Sequence, residues 1–260
     1  MTKERLDNRW FSQPAFDFAV GSYDDGYETA PDVIHIRKVL FIKPLYFVVT
    51  DLLLPMSGVA RDCEATVQFQ FARRGAQLNP ETHAVREGGD GAFAVVCPAA
   101  PNSLKVTLHE GEENPPAGWI GWSLHQNLKE PATLVRYSQS GRPPLVFDTV
   151  ILPCAAGAAP ALTVKRLPVT YDGQTVPPTE ATALEIASDR FRHVIYLSHS
   201  PSATRSPSIT SARRLPRLPS SMSPVISLVS SPPPVPICRW FRTPHRRPCP
   251  RSTSRRTELR

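Results

Sequence analysis

The chain has 260 residues, with 30 Lys+Arg against 23 Asp+Glu, 29 Pro and five Cys. The positive charge is uneven: residues 201–260 hold twelve Arg and one acid, Glu258, leaving 18 basic and 22 acidic groups in residues 1–200. The pI near 9.4 therefore describes the C-terminal stretch and gives no licence to read residues 1–200 as a nucleic-acid binder, which would need basic groups gathered on a folded surface. Cys63, Cys97, Cys154, Cys238 and Cys249 form no CxxC pair, which argues against a zinc knuckle or a redox motif. Lys3, Glu4, Arg5, Asp7 and Arg9 leave no apolar segment for a signal peptide. The longest apolar stretch, 39–54, is interrupted by Lys43, Pro44 and Asp51, so no membrane anchor is expected.

In chain order, short β-rich runs closed by turn residues fill residues 30 to about 200. Val33–Ile42 and Leu45–Leu54 flank Lys43-Pro44 and read as a hairpin. Further strands are expected at Thr66–Ala72, Ala92–Val96, Ser103–Leu108, Thr133–Tyr137, Val146–Leu152, Leu162–Leu167 and Phe191–Leu197. Gly88-Gly89-Asp90-Gly91, Pro115-Pro116, Gly141-Arg142-Pro143-Pro144 and Tyr171-Asp172-Gly173 punctuate them. Proline this frequent breaks helices, because its ring fixes φ and removes a donor. Only Pro178–Ala187 is compatible with a short helix. Many strands without helical crossovers predict an all-β fold, an antiparallel β-sandwich over residues 1–200.

Residues 201–260 change character. Twelve Pro, twelve Arg and twelve Ser leave too little apolar surface to offset the entropy of ordering the backbone, so a disordered tail is expected. Three readings compete for it: an Arg/Ser/Pro interaction tail, an SH3-type ligand around Pro233-Pro234-Val235-Pro236, and a shifted reading frame. The third is favoured, because Phe191–Leu197 looks like a core strand whose successors never arrive.

Several segments together resemble the C-terminal β-sandwich of heparinase II/III-like polysaccharide lyases. They are Trp10-Phe11-Ser12, Phe16–Tyr23, His35–Pro44, Tyr46–Asp51, Gly118–Ser123 leading into Lys129-Glu130-Pro131-Ala132, and Phe147–Pro153. The resemblance covers about residues 8 to 200 and implies a supersandwich-like fold. Members of that family cleave uronate-containing polysaccharides by β-elimination, in which a base removes the proton α to a carboxylate that neighbouring groups neutralise. In the family those residues lie mainly on an N-terminal α/α toroid, and the sandwich walls one side of the cleft. The resemblance thus implies a lyase fragment without its catalytic toroid, silent alone, with no catalytic residue assigned. It also implies acidic polysaccharide, and a separately encoded toroid, as partners. Relatives are usually exported. The alternative is a non-catalytic module that binds acidic polysaccharide or docks to a separate lyase domain.

Strand alternation places His35 and Arg37 on one face of the first hairpin strand, and Asp51 on one face of the second. With a three-residue loop, Ile42-Lys43-Pro44, Phe41 pairs with Leu45 and His35 lies opposite Asp51. The resemblance also implies that the sandwich can hold a structural divalent metal such as zinc, with a His and Asp so arranged plus a second His. Here Gln70 stands where many relatives have that His, and Gln is a poor zinc ligand. His35 and Asp51 are therefore candidate metal ligands, candidate catalytic contributors, or, the favoured reading, a buried polar cluster that fixes hairpin register. His193 and His199 share a strand face without metal spacing. Trp119 and Trp122 are candidates for stacking on a sugar ring, although the general burial of Trp favours core packing. Asp24-Asp25-Gly26 reads as a turn, since no Glu follows at calcium-loop spacing.

Overall fold

The computed structural model describes residues 9–56, 61–123 and 128–199, and the backbone of Ser208–Ile209 and Ile226–Ser227; the side chains of Trp122 and Ser123 lie outside the described set. Among these residues the chain is all strand and turn apart from one 3-10 turn, Pro101–Ser103. The strands in chain order are β1 (Arg9–Ser12), β2 (Phe16–Tyr23), β3 (Val33–Ile42), β4 (Tyr46–Pro55), β5 (Cys63–Gln70), β6 (Gln77–Leu78), β7 (Val85–Arg86) and β8 (Phe93–Pro98). There follow β9 (Lys105–Glu110), β10 (Glu112–Glu113), β11 (Pro116–Ala117), β12 (Trp119–Ser123), β13 (Leu128–Pro131), β14 (Thr133–Gly141) and β15 (Leu145–Cys154). The last are β16 (Thr163–Leu167), β17 (Val169–Tyr171), β18 (Gln174–Val176), β19 (Ala181–Ala187), β20 (Arg192–Ser198), β21 (Ser208–Ile209) and β22 (Ile226–Ser227).

The central layer is an eight-stranded sheet in the order β1-β2-β3-β4-β15-β8-β7-β6. Alternation gives it two apolar faces. Leu40, Ile42, Tyr46, Val48, Val150 and Leu152 form one core with Leu184, Ile186, Ile195 and Leu197 of the β16-β19-β20 sheet. On the other face, Val85, Val96 and Phe147 pack against Ala65, Val67, Val135 and Tyr137 of the β5-β14-β9 sheet. Each fully buried side chain of this size contributes about 1.5–3 kcal/mol. The expected antiparallel sandwich is present, and its central sheet is shared by two covering sheets.

Two details differ from the sequence reading. Residues 181–187 are strand β19, not helix, because both their faces are covered. Leu184 and Ile186 enter the first core, while Ala181 and Ala183 pack outward with Val169, beneath β17–β18. A strand buried on both faces loses its alternation and imitates a short helix. The hairpin register is also shifted. Ile42 pairs with Tyr46 and the loop is Lys43-Pro44-Leu45, closed by the Leu45 amide donating to the Ile42 carbonyl at 2.6 Å. The slide keeps every side chain on its face but puts Arg37, not His35, directly opposite Asp51, with His35 opposite Leu53. It is selected by burial: Ile42 and Tyr46, 3% and 0% exposed, would otherwise not pair inside the core.

Gly118 shows one backbone requirement. Its φ is +70°, its carbonyl accepts the amides of Gly111 and Ala132, and an added Cβ would meet the His109 carbonyl oxygen at 2.3 Å. It fixes the flap formed by β10–β13 onto the end of the β5-β14-β9 sheet. Of the tail, two dipeptides are described: Ser208–Ile209 pairs with β17, and Ile226–Ser227 with β20. The expectations for the rest of 201–260 lie outside the described residues.

Candidate functional site: an open trough on the central sheet

The β5-β14-β9 sheet covers only part of its face of the central sheet. Beside it the same face continues uncovered over β2 and β3, where pairing aligns Tyr23 with His35, Gly21 with Arg37 and Ala19 with Val39. These residues, with Ser22, line an open trough of about 360 Å³. Gly21 has no side chain, so the surface dips beside Arg37. Trp10, opposite Ala19 on β1, is 70% exposed, and Tyr23 and Tyr27 are 44% and 41% exposed.

Asp51 anchors the polar end. Its side chain is 1% exposed, while those of His35 and Arg37 are 21% and 47% exposed. The Arg37 Nε donates to Oδ1 at 2.6 Å and its Nη2 to Oδ2 at 3.1 Å, so the guanidinium holds the carboxylate in a two-point clasp. His35 Nε2 also reaches Oδ1, at 2.6 Å. Burial pushes the Asp51 carboxyl up, but the hydrogen bonds and charges of His35 and Arg37 outweigh it and hold the group below the ordinary carboxylate range. An ionised carboxylate only accepts, so Nε2 carries the proton. In the neutral ring, Nδ1 then accepts the Tyr27 hydroxyl at 2.6 Å. Burial, and then the Asp51 charge, raise the Tyr27 phenol above its usual value. The result is a directed chain from Tyr27 through His35 to Asp51, with His35 and Arg37 lining the trough and Tyr27 packed beside it against Tyr23 and His35.

The sequence places His35 and Asp51 together, and they do meet, though diagonally. As arranged they do not supply a metal's donor set. Both Asp51 oxygens are engaged by Arg37 and His35, both His35 nitrogens are engaged, and no group of three or more His, Cys, Asp or Glu suited to a metal occurs among the described residues. Gln70 lies on β5 of the covering sheet, where its amide donates to the carbonyls of Phe71 and Thr133. His193 is bonded to Tyr46, and His199 sits between Lys38 and Thr182. Trp119 departs from the core-packing expectation. It is half-buried on the flap, donates to the Glu112 carbonyl, and carries the Lys129 ammonium 3.9 Å from its ring centre. The side chain of Trp122 is outside the described set.

Sequence reasoning missed Tyr27 and Gly21. Tyr27 reaches His35 from a loop, and no spacing rule signals that. It also missed a second polar cluster on the opposite face of the same sheet. There Asp148, 3% exposed, accepts from Thr50 at 2.8 Å and from Arg166 at 2.6 Å and 3.1 Å. Lys38 donates to the Ser198 carbonyl at 2.7 Å and lies 3.0 Å from His199 Nδ1; burial, opposed by the Asp148 charge, lowers its pKa to about 8. Burial and the charges of Lys38 and Arg166 lower His199 to about 3. The available signal was a charged residue at inward parity, Lys38 beside Leu40 and Asp148 beside Val150.

No family model matches this sequence, and no curated protein sequence matches it. Solved structures do match the fold. A heparan sulfate lyase HepC mutant from Pedobacter heparinus aligns with a TM-score of 0.56 at 14% identity, over 74% of this chain and 28% of that one. A heparinase III gene product gives 0.54 at 15% identity, over 73% and 27%. A further heparinase III structure gives 0.53 at 12% identity, over 74% and 27%. The class is thus set by fold: an all-β sandwich shared with part of the heparinase III structures. The chain matches about 27–28% of the length of these proteins. No helix among the described residues is long and apolar enough to cross a membrane.

Proposed function

We propose that residues 9–199 are the sandwich part of a heparinase II/III-like polysaccharide lyase, and that their trough forms one wall of a cleft for acidic polysaccharide. The observation that supports this best is the arrangement around Asp51. A buried carboxylate holds Arg37 and His35, which line an open trough, and through His35 it fixes the Tyr27 phenol beside that trough. Arg37 presents its outer edge to a uronate carboxylate, and Tyr27 offers a positioned hydroxyl. The base that abstracts the α proton is not among these residues, so on their own they are silent in β-elimination. Incubating the chain with heparin, heparan sulfate or alginate should give no rise in unsaturated-uronate absorbance, and a clear rise would overturn this.

The alternative is a non-catalytic module that binds acidic polysaccharide or docks onto a separate toroid domain. The exposed Trp10, Tyr23 and Tyr27 along the uncovered face favour docking. Co-purification with a separately produced toroid domain, lost in Trp10→Ser, would select it. A structural zinc on His35 and Asp51 is the remaining occupant to test. It requires Asp51 to release Arg37 and His35 to release Tyr27, so added zinc should leave the melting temperature unchanged.

A further inference from the structure

The β5-β14-β9 sheet has a second face, turned away from the core, and the geometry points to it as a binding site for a carboxylated sugar. It stands apart from the trough and does not depend on the lyase reading. Pairing puts Thr66, Ser138 and Lys105 in one row across the three strands, and Gln68, Arg136 and Thr107 in the next. Arg136 thus sits on the central strand with hydroxyl groups around it. Glu64, one step along β5, closes one end of the face and His109 the other, and they bound a groove of about 380 Å³. That volume falls within the range of small-ligand sites.

Polar outer faces of sheets are ordinarily just solvated. Three features set this one apart. The Nε of Arg136 is inaccessible to solvent and has no hydrogen-bond partner. A buried guanidinium nitrogen left unpaired is costly, and it marks a guanidinium that no protein acceptor among the described residues claims. Next, neither Arg136 nor Lys105 has an acidic partner among the described residues, whereas Arg37, Arg166 and Arg192 each hold a carboxylate. Finally, the surrounding groups are already fixed. Thr66 and Ser138 share a hydrogen bond of 2.7 Å, Thr107 lies 2.9 Å from His109 Nε2, and the Glu112 carboxylate holds the other ring nitrogen at 2.8 Å. Such preorganisation lowers the ordering cost of binding.

The pattern of charges selects the ligand. Arg136 on the central strand and Lys105 on the adjoining edge strand, neither with an acidic partner among the described residues, call for an oxyanion, and the planar fork of Arg136 suits a carboxylate. Glu64, which holds no cation among the described residues, accepts from hydroxyl groups, and the hydroxyl side chains both donate and accept. A plain anion would be repelled at the Glu64 end, while a sugar ring bearing a carboxylate satisfies both ends. Among the described residues no aromatic side chain lines the groove, so recognition is by hydrogen bonds and charge rather than by stacking.

The test is calorimetric titration of the full chain with an alginate tetrasaccharide, whose only charges are carboxylates, in an Arg37→Gln background that removes the trough's guanidinium. Arg136→Gln and Lys105→Gln should each weaken the remaining binding roughly tenfold, with Arg136→Lys intermediate. Lys105 is exposed and its replacement disturbs no packing, so the test survives a failure of Arg136→Gln to fold. A neutral cello-tetraose should bind at least tenfold more weakly. Equal binding of the neutral sugar, or affinity unchanged by both substitutions, overturns the site. A heparin tetrasaccharide far exceeding alginate would replace carboxylate by sulfate as the recognised group and overturn the ligand assignment. Loss of all binding in Arg37→Gln alone would place recognition in the trough and overturn this proposal while sustaining the other.

Discussion

The two faces of the central sheet carry polar clusters one residue apart along the same strands, and they are built differently. On one face Asp148 lies buried between two layers, bonded to Thr50, Thr182 and an Arg166 that is 21% exposed, and the cluster ties the β16-β19-β20 sheet to the centre. On the other, Asp51 is equally buried, but its partners Arg37 and His35 reach the surface. The difference teaches how to separate scaffold from site. Low carboxylate exposure is common to both, so burial alone is uninformative. What distinguishes the trough is the Arg37 guanidinium, 47% exposed against 21% for Arg166, which opens onto an uncovered stretch of sheet.

The comparison predicts unequal costs. Asp148→Ala leaves the buried Thr50 and Thr182 hydroxyls and the 21% exposed Arg166 without this acceptor and should destabilise the fold by about 3 kcal/mol in urea unfolding. A loss under about 1 kcal/mol would break the claim that this face is the sealed one. Asp51→Ala leaves Arg37 free to turn to water, and about 2 kcal/mol is expected from the lost charged hydrogen bonds. If Asp51→Ala proved the costlier of the two, the assignment of sealed and open faces would be reversed.

Acid sensitivity sharpens the contrast. His199 is held neutral in the folded state down to about pH 3, against an ordinary value of 6.5. The unfolded chain therefore binds the extra proton first, and stability present above pH 6.5 is lost as pH falls from 6.5 toward 3. Burial lowers His193 too, in the same direction. Lowered Asp51 acts only below its unfolded value of 3.8. Between pH 6.5 and 4 the loss should thus belong to the sealed face and shrink in His199→Gln, as read by melting temperature across that range. The smallest effect expected is from zinc, which should not shift the melting temperature; a rise of several degrees, lost in His35→Gln, would show that the Asp51 clasp opens for a metal.

Much of the scaffold was legible in the sequence, because strand alternation and turn residues are local signals. The β3–β4 hairpin follows from alternation and the Lys43-Pro44 turn, and the shared face of His35, Arg37 and Asp51 follows from parity once a three-residue loop is assumed. The observed loop has three residues but is Lys43-Pro44-Leu45, not Ile42-Lys43-Pro44. The exact pairing was not legible, since it depends on burying Ile42 with Tyr46 against β16-β19-β20, a contact far away in sequence. Strand β19 was misread for the same reason. At the site, the His35–Asp51 contact was legible, whereas Tyr27, Gly21 and the Lys38–Asp148 network arise from loops and from a covering sheet that periodicity does not place. The groove around Arg136 is likewise invisible until β5, β14 and β9 are set side by side.

The most direct test of the account is the affinity of an alginate tetrasaccharide for the trough, measured by calorimetry in the Lys105→Gln, Arg136→Gln background so that only one site remains. Arg37→Gln in that background should weaken binding roughly tenfold, and Tyr27→Phe by a smaller factor, with melting temperatures showing that the fold persists. Unchanged affinity in Arg37→Gln would contradict the claim that the open face of the central sheet receives an acidic saccharide.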